Sequence, residues 1–203
     1  MGTDEDADLA RLRAGRPSAV ARVVDETLHP FVVGGAGVVV TAIDGGARVS
    51  PATLLGAIAV VAVAVGGPWA ILRHSLRTGR LTDRQAVRRA ERWRPLTLGG
   101  LCLLAAAGVA VALGLPASAL FLGRGVLATG VAALLTRFVT KVSLHTTAAG
   151  FAVTVGRYAP SWGVALGLVT VAALCWGRLR QGRHTLGQLL LGAGVGTTMF
   201  VVA

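Results

Sequence analysis

The sequence predicts an all-α protein, a polytopic membrane helix bundle with six to seven transmembrane helices. Three observations predict it. Apolar residues make up 54% of the 203 residues and charged residues only 14%, with a mean hydropathy of +0.68; a soluble domain is about a quarter charged. Apolar runs recur along the chain, and three reach the ~20 residues a helix needs to span hydrocarbon. The Lys and Arg residues are shared very unevenly between the loops joining those runs.

Residues 1–28 form a polar, then weakly amphipathic, N-terminal segment. Its start, "MGTDEDADLA", is acidic and shows no signal peptide, and Asp6 makes it a poor myristoylation signal. Leu9, Leu12, Val20 and Val23 fall on one side, with Arg11, Arg13, Arg16 and Arg22 on the other. A short helix lying on the membrane surface and a frayed tail both satisfy this pattern.

Residues 29–203 form the transmembrane domain. Its apolar runs lie at 30–43, 52–72, 96–115, 117–136, 145–157, 161–176 and 186–203. The runs at 30–43 and 145–157 are short, so either their flanks extend them or they enter without crossing. "GGARVSP", "GLPAS" and "GRYAPS" punctuate the chain as hinges. "GGAGVVV" and "LLLGAGVG" are glycine steps that let helix backbones approach closely in lipid. Cys102 and Cys175 sit inside apolar runs with no ligand partners nearby, and are read as packing residues.

If every run crosses, the tail and residues 73–95, 137–144 and 177–185 share one side, which then holds 17 of the 20 Lys and Arg. The bias of cations toward cytoplasmic loops makes that side cytoplasmic in a plasma (inner) membrane protein. The same topology accounts for the net charge of +11, and no basic stretch carries stacking aromatics, so nucleic acid is not an expected partner. Arg124 lies about two turns from Pro116; snorkelling and a buried partner both answer its charge. His29 and His74 read as solvated boundary residues.

Three segments converge on the cation-rich side: "TDRQAVRRAERWRP" (82–95), "TKVSLHTTAAG" (140–150) and "GRLRQGRHTLGQLLLGAGVG" (177–196). His145 and His184 each stand at the mouth of an apolar run beside a hydroxyl residue, with guanidinium groups near in sequence. Arginine's planar fork matches a tetrahedral phosphate. A neutral imidazole can attack phosphorus, and a protonated one can donate to the leaving oxygen. Fixed cations stabilise charge on the equatorial oxygens. For His184 alone, the plainer reading is an interfacial side chain at a helix start.

These residues resemble the type 2 phosphatidic acid phosphatase superfamily, which includes lipid phosphatases and vanadium haloperoxidases; the chain looks like a divergent bacterial membrane member. The family's third motif is Ser-Arg, five residues, His, three residues, Asp. Arg178 and His184 hold that spacing, with Gly177 at the Ser and Gln188 at the Asp. The second motif, Pro-Ser-Gly-His, aligns with Val142, Ser143, Leu144 and His145. The first, Lys, six residues, Arg-Pro, ends on Arg94 and Pro95, with Val87 at the Lys and Arg88 and Arg89 beside it. The likeness runs over residues 80–203.

The resemblance implies a phosphohistidine on His184, His145 as general acid, and a phosphate held by Arg178, Arg94, Ser143 and one of Arg88 or Arg89. Lys141 joins them by position rather than by motif. It implies a lipid phosphate substrate (phosphatidic acid-like or isoprenoid) among membrane lipids, and neither metal nor cofactor. Gln188 is expected to hydrogen-bond the His184 imidazole from four residues along one helix face, without the charge that steadies an imidazolium. A second reading follows from the departures: a catalytically inactive relative that binds anionic lipid or a partner. A small transporter is a third, disfavoured because the runs carry almost no ionisable residue besides Arg124.

Overall fold

The fold is that of a computed structural model, which describes residues 18–44, 49–82, 89–148, 150, 156, 162–182 and 184–202. Among them there is no strand. Helix α1 is Ala19–Thr27, and Ser18 caps it, its Oγ accepting from the Ala21 N–H at 3.1 Å. Pro30 cannot continue that helix and instead starts α2, Pro30–Asp44. The two form one apolar stretch, Ala19–Ile43, long enough to cross a membrane. The short run at 30–43 is thus extended by its N-terminal flank.

Ser50 caps α3, Pro51–Val61, with Pro51 in its first turn. Residues Ala62–Gly66 widen into a π turn before α4, Gly67–Arg77. Pro68 accounts for the widening: it has no N–H for the carbonyl four residues back, and its ring crowds that carbonyl. Gly79, at φ 68°, ends the crossing in the left-handed region. The Glu91 carboxylate accepts from the Thr82 N–H at 2.9 Å and ties Thr82 to α5, Arg89–Ala112. Gly114 (φ 70°) and Pro116 then reverse the chain into α6, Pro116–Phe138, which pairs with α5 along its length.

Beyond α6 the chain is extended and buried through Lys141, Val142 and Ser143, then makes a single turn, α7, Leu144–Thr147. Helix α8 is Gly163–Arg180 and α9 is Leu186–Val202. Among the described residues, four stretches are long and apolar enough to cross a membrane: Ala19–Ile43, Pro51–Arg77, Glu91–Ala112 and Pro116–Phe138. Helices α8 and α9 are shorter or carry arginines at one end. The run at 145–157 lies mostly outside the described residues, as do Arg11, Arg13, Arg16, Arg88, Arg157 and Arg183.

Small residues and a few hydroxyls knit the bundle. Thr41 and Ser118 meet at 3.1 Å, and Ser118 also donates to the Val38 carbonyl at 3.2 Å, joining α2 to α6 with no polar group left to lipid. Gly37 lies flat against the Phe121 ring. Gly192 and Gly196, in the glycine step of α9, press on the Ser143 and Thr147 carbonyls, where any Cβ would overlap them. That close approach seats α9 against the 143–147 segment. On α1, Ala21 and Asp25 are buried against the end of α8, while Val20 and Val23 stay exposed. Gln181 of that end donates to the Ala21 carbonyl at 3.1 Å.

Candidate functional site

Five helix ends and turns deliver their polar side chains to one cavity of about 280 Å³. His29 comes from the α1–α2 junction, Arg92 from the first turn of α5, His145 from α7, Arg178 from the last turn of α8, and His184 from the α8–α9 turn. Arg178, His145 and His184 are all at most 5% exposed. The His29 and His145 rings meet edge to face, with centroids 5.2 Å apart. Residues far apart in sequence therefore share one cavity, which is otherwise lined mostly by apolar side chains.

The turn before α9 fixes His184. Thr185 Oγ1 accepts from the Gln188 N–H at 3.3 Å, and Gln188 Oε1 accepts from the Thr185 N–H at 3.2 Å. This reciprocal pair is a capping box, written in the sequence as T-L-G-Q. The same Oε1 stands 3.2 Å from His184 Nδ1. An atom that receives a backbone N–H must be the amide oxygen, so Nδ1 carries the proton and Nε2 keeps the lone pair. Gln188 thus does two jobs, and it reaches back from inside the helix. His184 precedes α9, so the expected shared helix face is not how the contact arises.

His145 is held by the turn it belongs to. Thr146 and Thr147 both donate their hydroxyls to the Ser143 carbonyl at 3.0 Å, and the Thr147 N–H also donates to it. Ser143 Oγ and His145 Nε2 are fully buried and lack hydrogen-bond partners among the described residues. Of the two residues, His145 lines the cavity. Arg92 donates to the Val142 carbonyl at 3.0 Å and clamps the extended segment from the α5 side. Lys141 is buried beside it.

Asp25 enters from α1. Its Oδ1 lies 2.9 Å from Arg178 Nη1 in a buried ion pair. The same oxygen is 3.4 Å from His145 Nε2, not aligned as a hydrogen bond. Burial is the main reason His145 has a pKa well below 6.5, and the cation of Arg178 adds to it, followed by His29, His184 and Arg92. His184 is lowered well below 6.5 by burial first, then by Arg178, Arg92 and Lys141, with the Gln188 hydrogen bond opposing. Both imidazoles are therefore neutral at pH 7.

Of the residues expected at the site, Arg178, His145 and His184 line this cavity; Gln188 does not line it but contacts His184, and Ser143 and Lys141 are buried in the segment before His145 without lining it. Arg94 is not: it is exposed, with its guanidinium carbon 5.4 Å over the Trp93 ring. Two residues turn an α-helix by about 200°, so Arg92 faces the chamber instead. The Arg89 side chain and all of Arg88 lie outside what is described. His29 is a chamber residue rather than a solvated boundary residue, whereas His74 is exposed. Arg124 is half-buried, its Nε without a hydrogen-bond partner among the described residues.

Asp25, Arg92 and His29 were not legible as site residues. The one signal for Asp25 is its place four residues after Ala21, on the stripe where α1 meets α8. Among the described residues, no group of three or more His, Cys, Asp or Glu side chains is gathered to hold a metal ion. The cations and ring nitrogens instead suit an anion with several oxygens. Comparisons with family models, curated proteins and solved structures find no match to the chain.

Proposed function

We propose that this protein is an integral membrane phosphohydrolase of the type 2 phosphatidic acid phosphatase kind, acting on the phosphate monoester or diphosphate of a lipid. One observation carries the reading: His145, His184 and Arg178 line a single buried chamber. In this reading α8 and α9 also cross the bilayer. The chamber faces the cytoplasm, in keeping with the concentration of cations at that end. Labelling of Thr82→Cys by a membrane-impermeant reagent applied outside intact cells would refute that orientation.

The phosphate enters with its oxygens toward Arg178, Arg92 and Lys141, and the Ser143 hydroxyl donates to one of them. Its negative charge raises the His145 pKa and brings a proton onto that ring. His184 Nε2 attacks phosphorus while the bond to the lipid oxygen breaks, and His145 gives its proton to that oxygen. The lipid alcohol leaves, or the shorter phosphate where the substrate is a diphosphate. Neutral His145 next takes a proton from water, which attacks phosphorus and breaks the P–N bond. Inorganic phosphate departs and His184 is restored. The Gln188 amide keeps the Nδ1 proton in place throughout.

A second reading has its own support. The Asp25 carboxylate already pairs with Arg178, and Gln188 carries no charge to steady an imidazolium. Such a chain would bind anionic lipid without turning it over. Phosphate release from phosphatidic acid and prenyl diphosphates, by wild type and His184→Ala, separates the two. Release by wild type alone, with acid-labile phosphate on the protein, is the expected result. Equal rates from both proteins would remove the hydrolase reading.

A further inference from the structure

We infer that the chamber continues as a trench for one hydrocarbon chain, so that the ligand of this site is a single-tailed lipid phosphate. The inference rests on the phosphate-site reading and narrows the class of lipid. From Arg92 the cavity wall on α5 continues through Leu96, Gly99 and Leu103, a stripe of one helical face. Below the histidines the walls are apolar apart from Thr129. The cations gather at one end only, so the anionic head is fixed there and its tail lies along the apolar walls.

The glycines of the wall set its width. Glycine in a membrane helix usually marks a place where another backbone comes close, as at Gly192 and Gly196. Gly34 of α2 and Gly99 of α5 differ: both line the cavity, and a Cβ on either would meet nothing within 4 Å. They give no helix contact, and glycine is a poor helix former. What they provide is space along the cavity wall. The rings of Phe121 and Phe200, with centroids 5.3 Å apart, also line the cavity.

The dimensions admit one tail. Leu96 to Leu103 spans about 10 Å along the helix, and an extended chain advances ~1.2 Å per bond, so roughly nine bonds fit. The cavity volume of about 280 Å³ sits at the small end of ligand pockets, ~300–1,000 Å³. Two acyl chains side by side exceed it.

The test uses the full chain in detergent, with n-alkyl phosphonates of about four to sixteen carbons as non-cleavable probes and the matching alkyl phosphates as substrates. Prenyl phosphates of equal length separate an isoprenoid source from an acyl one, and phosphatidic acid supplies the two-chain comparison. Affinity should rise by up to about fourfold per methylene and flatten near ten carbons. Gly99→Leu should move that plateau several carbons shorter and weaken the twelve-carbon probe at least tenfold, leaving the four-carbon probe unchanged. Gly99→Ala, which needs no rearrangement, should fall between. Gly108→Leu, on the same helix but exposed, should match wild type. Affinity independent of length, equal effects of the two leucines, or equally tight binding of phosphatidic acid would overturn the trench. Length-dependent binding without phosphate release would keep the trench and remove the hydrolase reading. Turnover without length dependence would do the reverse, and no binding of any probe would remove both.

Discussion

Replacing Asp25 with Asn tests whether α1 supplies a charge to the chamber. Asn keeps the size of the side chain and an oxygen for Arg178, so it removes charge rather than volume. The pair is short, at 2.9 Å, with side chains only 3% and 7% exposed. Losing one member of a buried pair costs about 3–5 kcal/mol. The lower figure applies here, because Arg178 has further interactions of its own. For a chain of this size ~3 kcal/mol corresponds to a fall in Tm of roughly 6–12 °C. Thermal unfolding in detergent at pH 7.5, followed by tryptophan fluorescence, reads it directly. Adding orthovanadate or an alkyl phosphonate extends the test. In wild type the incoming anion must displace a carboxylate from Arg178, whereas in the variant it meets an uncompensated cation. The anion should therefore raise the Tm of Asp25→Asn more than that of wild type. A variant within 1 °C of wild type, or equal shifts of both proteins by the anion, would refute the argument that Asp25 occupies the anion's place.

Gln188→Ala removes one side of the capping box and should cost about 1 kcal/mol in stability. It also frees the His184 tautomer, so phosphate release should fall at least tenfold; Gln188→Glu keeps the cap, adds charge and should exceed wild type in kcat. Unchanged turnover in the alanine variant would remove Gln188 from the mechanism. Stability should also depend on pH in a defined direction. The unfolded chain protonates His145 and His184 near 6.5, while the folded chain resists, both pKa values being lowered by burial and by Arg178. Their neutral burial costs nothing above pH 6.5 and erodes stability below it, by up to about 1.4 kcal/mol per pH unit for each ring. Unfolding midpoints that stay level from pH 8 to pH 5, or a loss that His145→Gln leaves unchanged, would contradict that sign.

The helical crossings were legible because composition and run length are set by lipid, which acts on every residue of a span alike. The break at Gly114–Pro116 and the glycine step of α9 were legible for a similar reason: each depends on what a residue lacks, a Cβ or an N–H. The coupling of Ala19–Thr27 to α2 was not, since its polar face looks the same on a membrane surface or against α8. The site divides likewise. His145 and His184 are legible from their place at the mouths of apolar runs on one side of the bundle, and Arg178 from the motif spacing that the family resemblance supplies. Arg92 was missed because a run of arginines does not reveal which one faces inward, and that depends on helix phase at a Pro-containing start. Asp25 was missed because its partner stands 153 residues away. Gln188 was expected to touch His184, but its capping role follows from where α9 begins.

The glycines at 192 and 196 also govern how the two histidines are spaced. They lock α9 to the 143–147 turn, so the loops bearing His145 and His184 are held to one another by backbone contact. Arg92 joins the same body through the Val142 carbonyl, and Asp25 reaches it through Arg178. The distance between the two rings is therefore set by main chain against main chain, and not by side chains free to choose another rotamer.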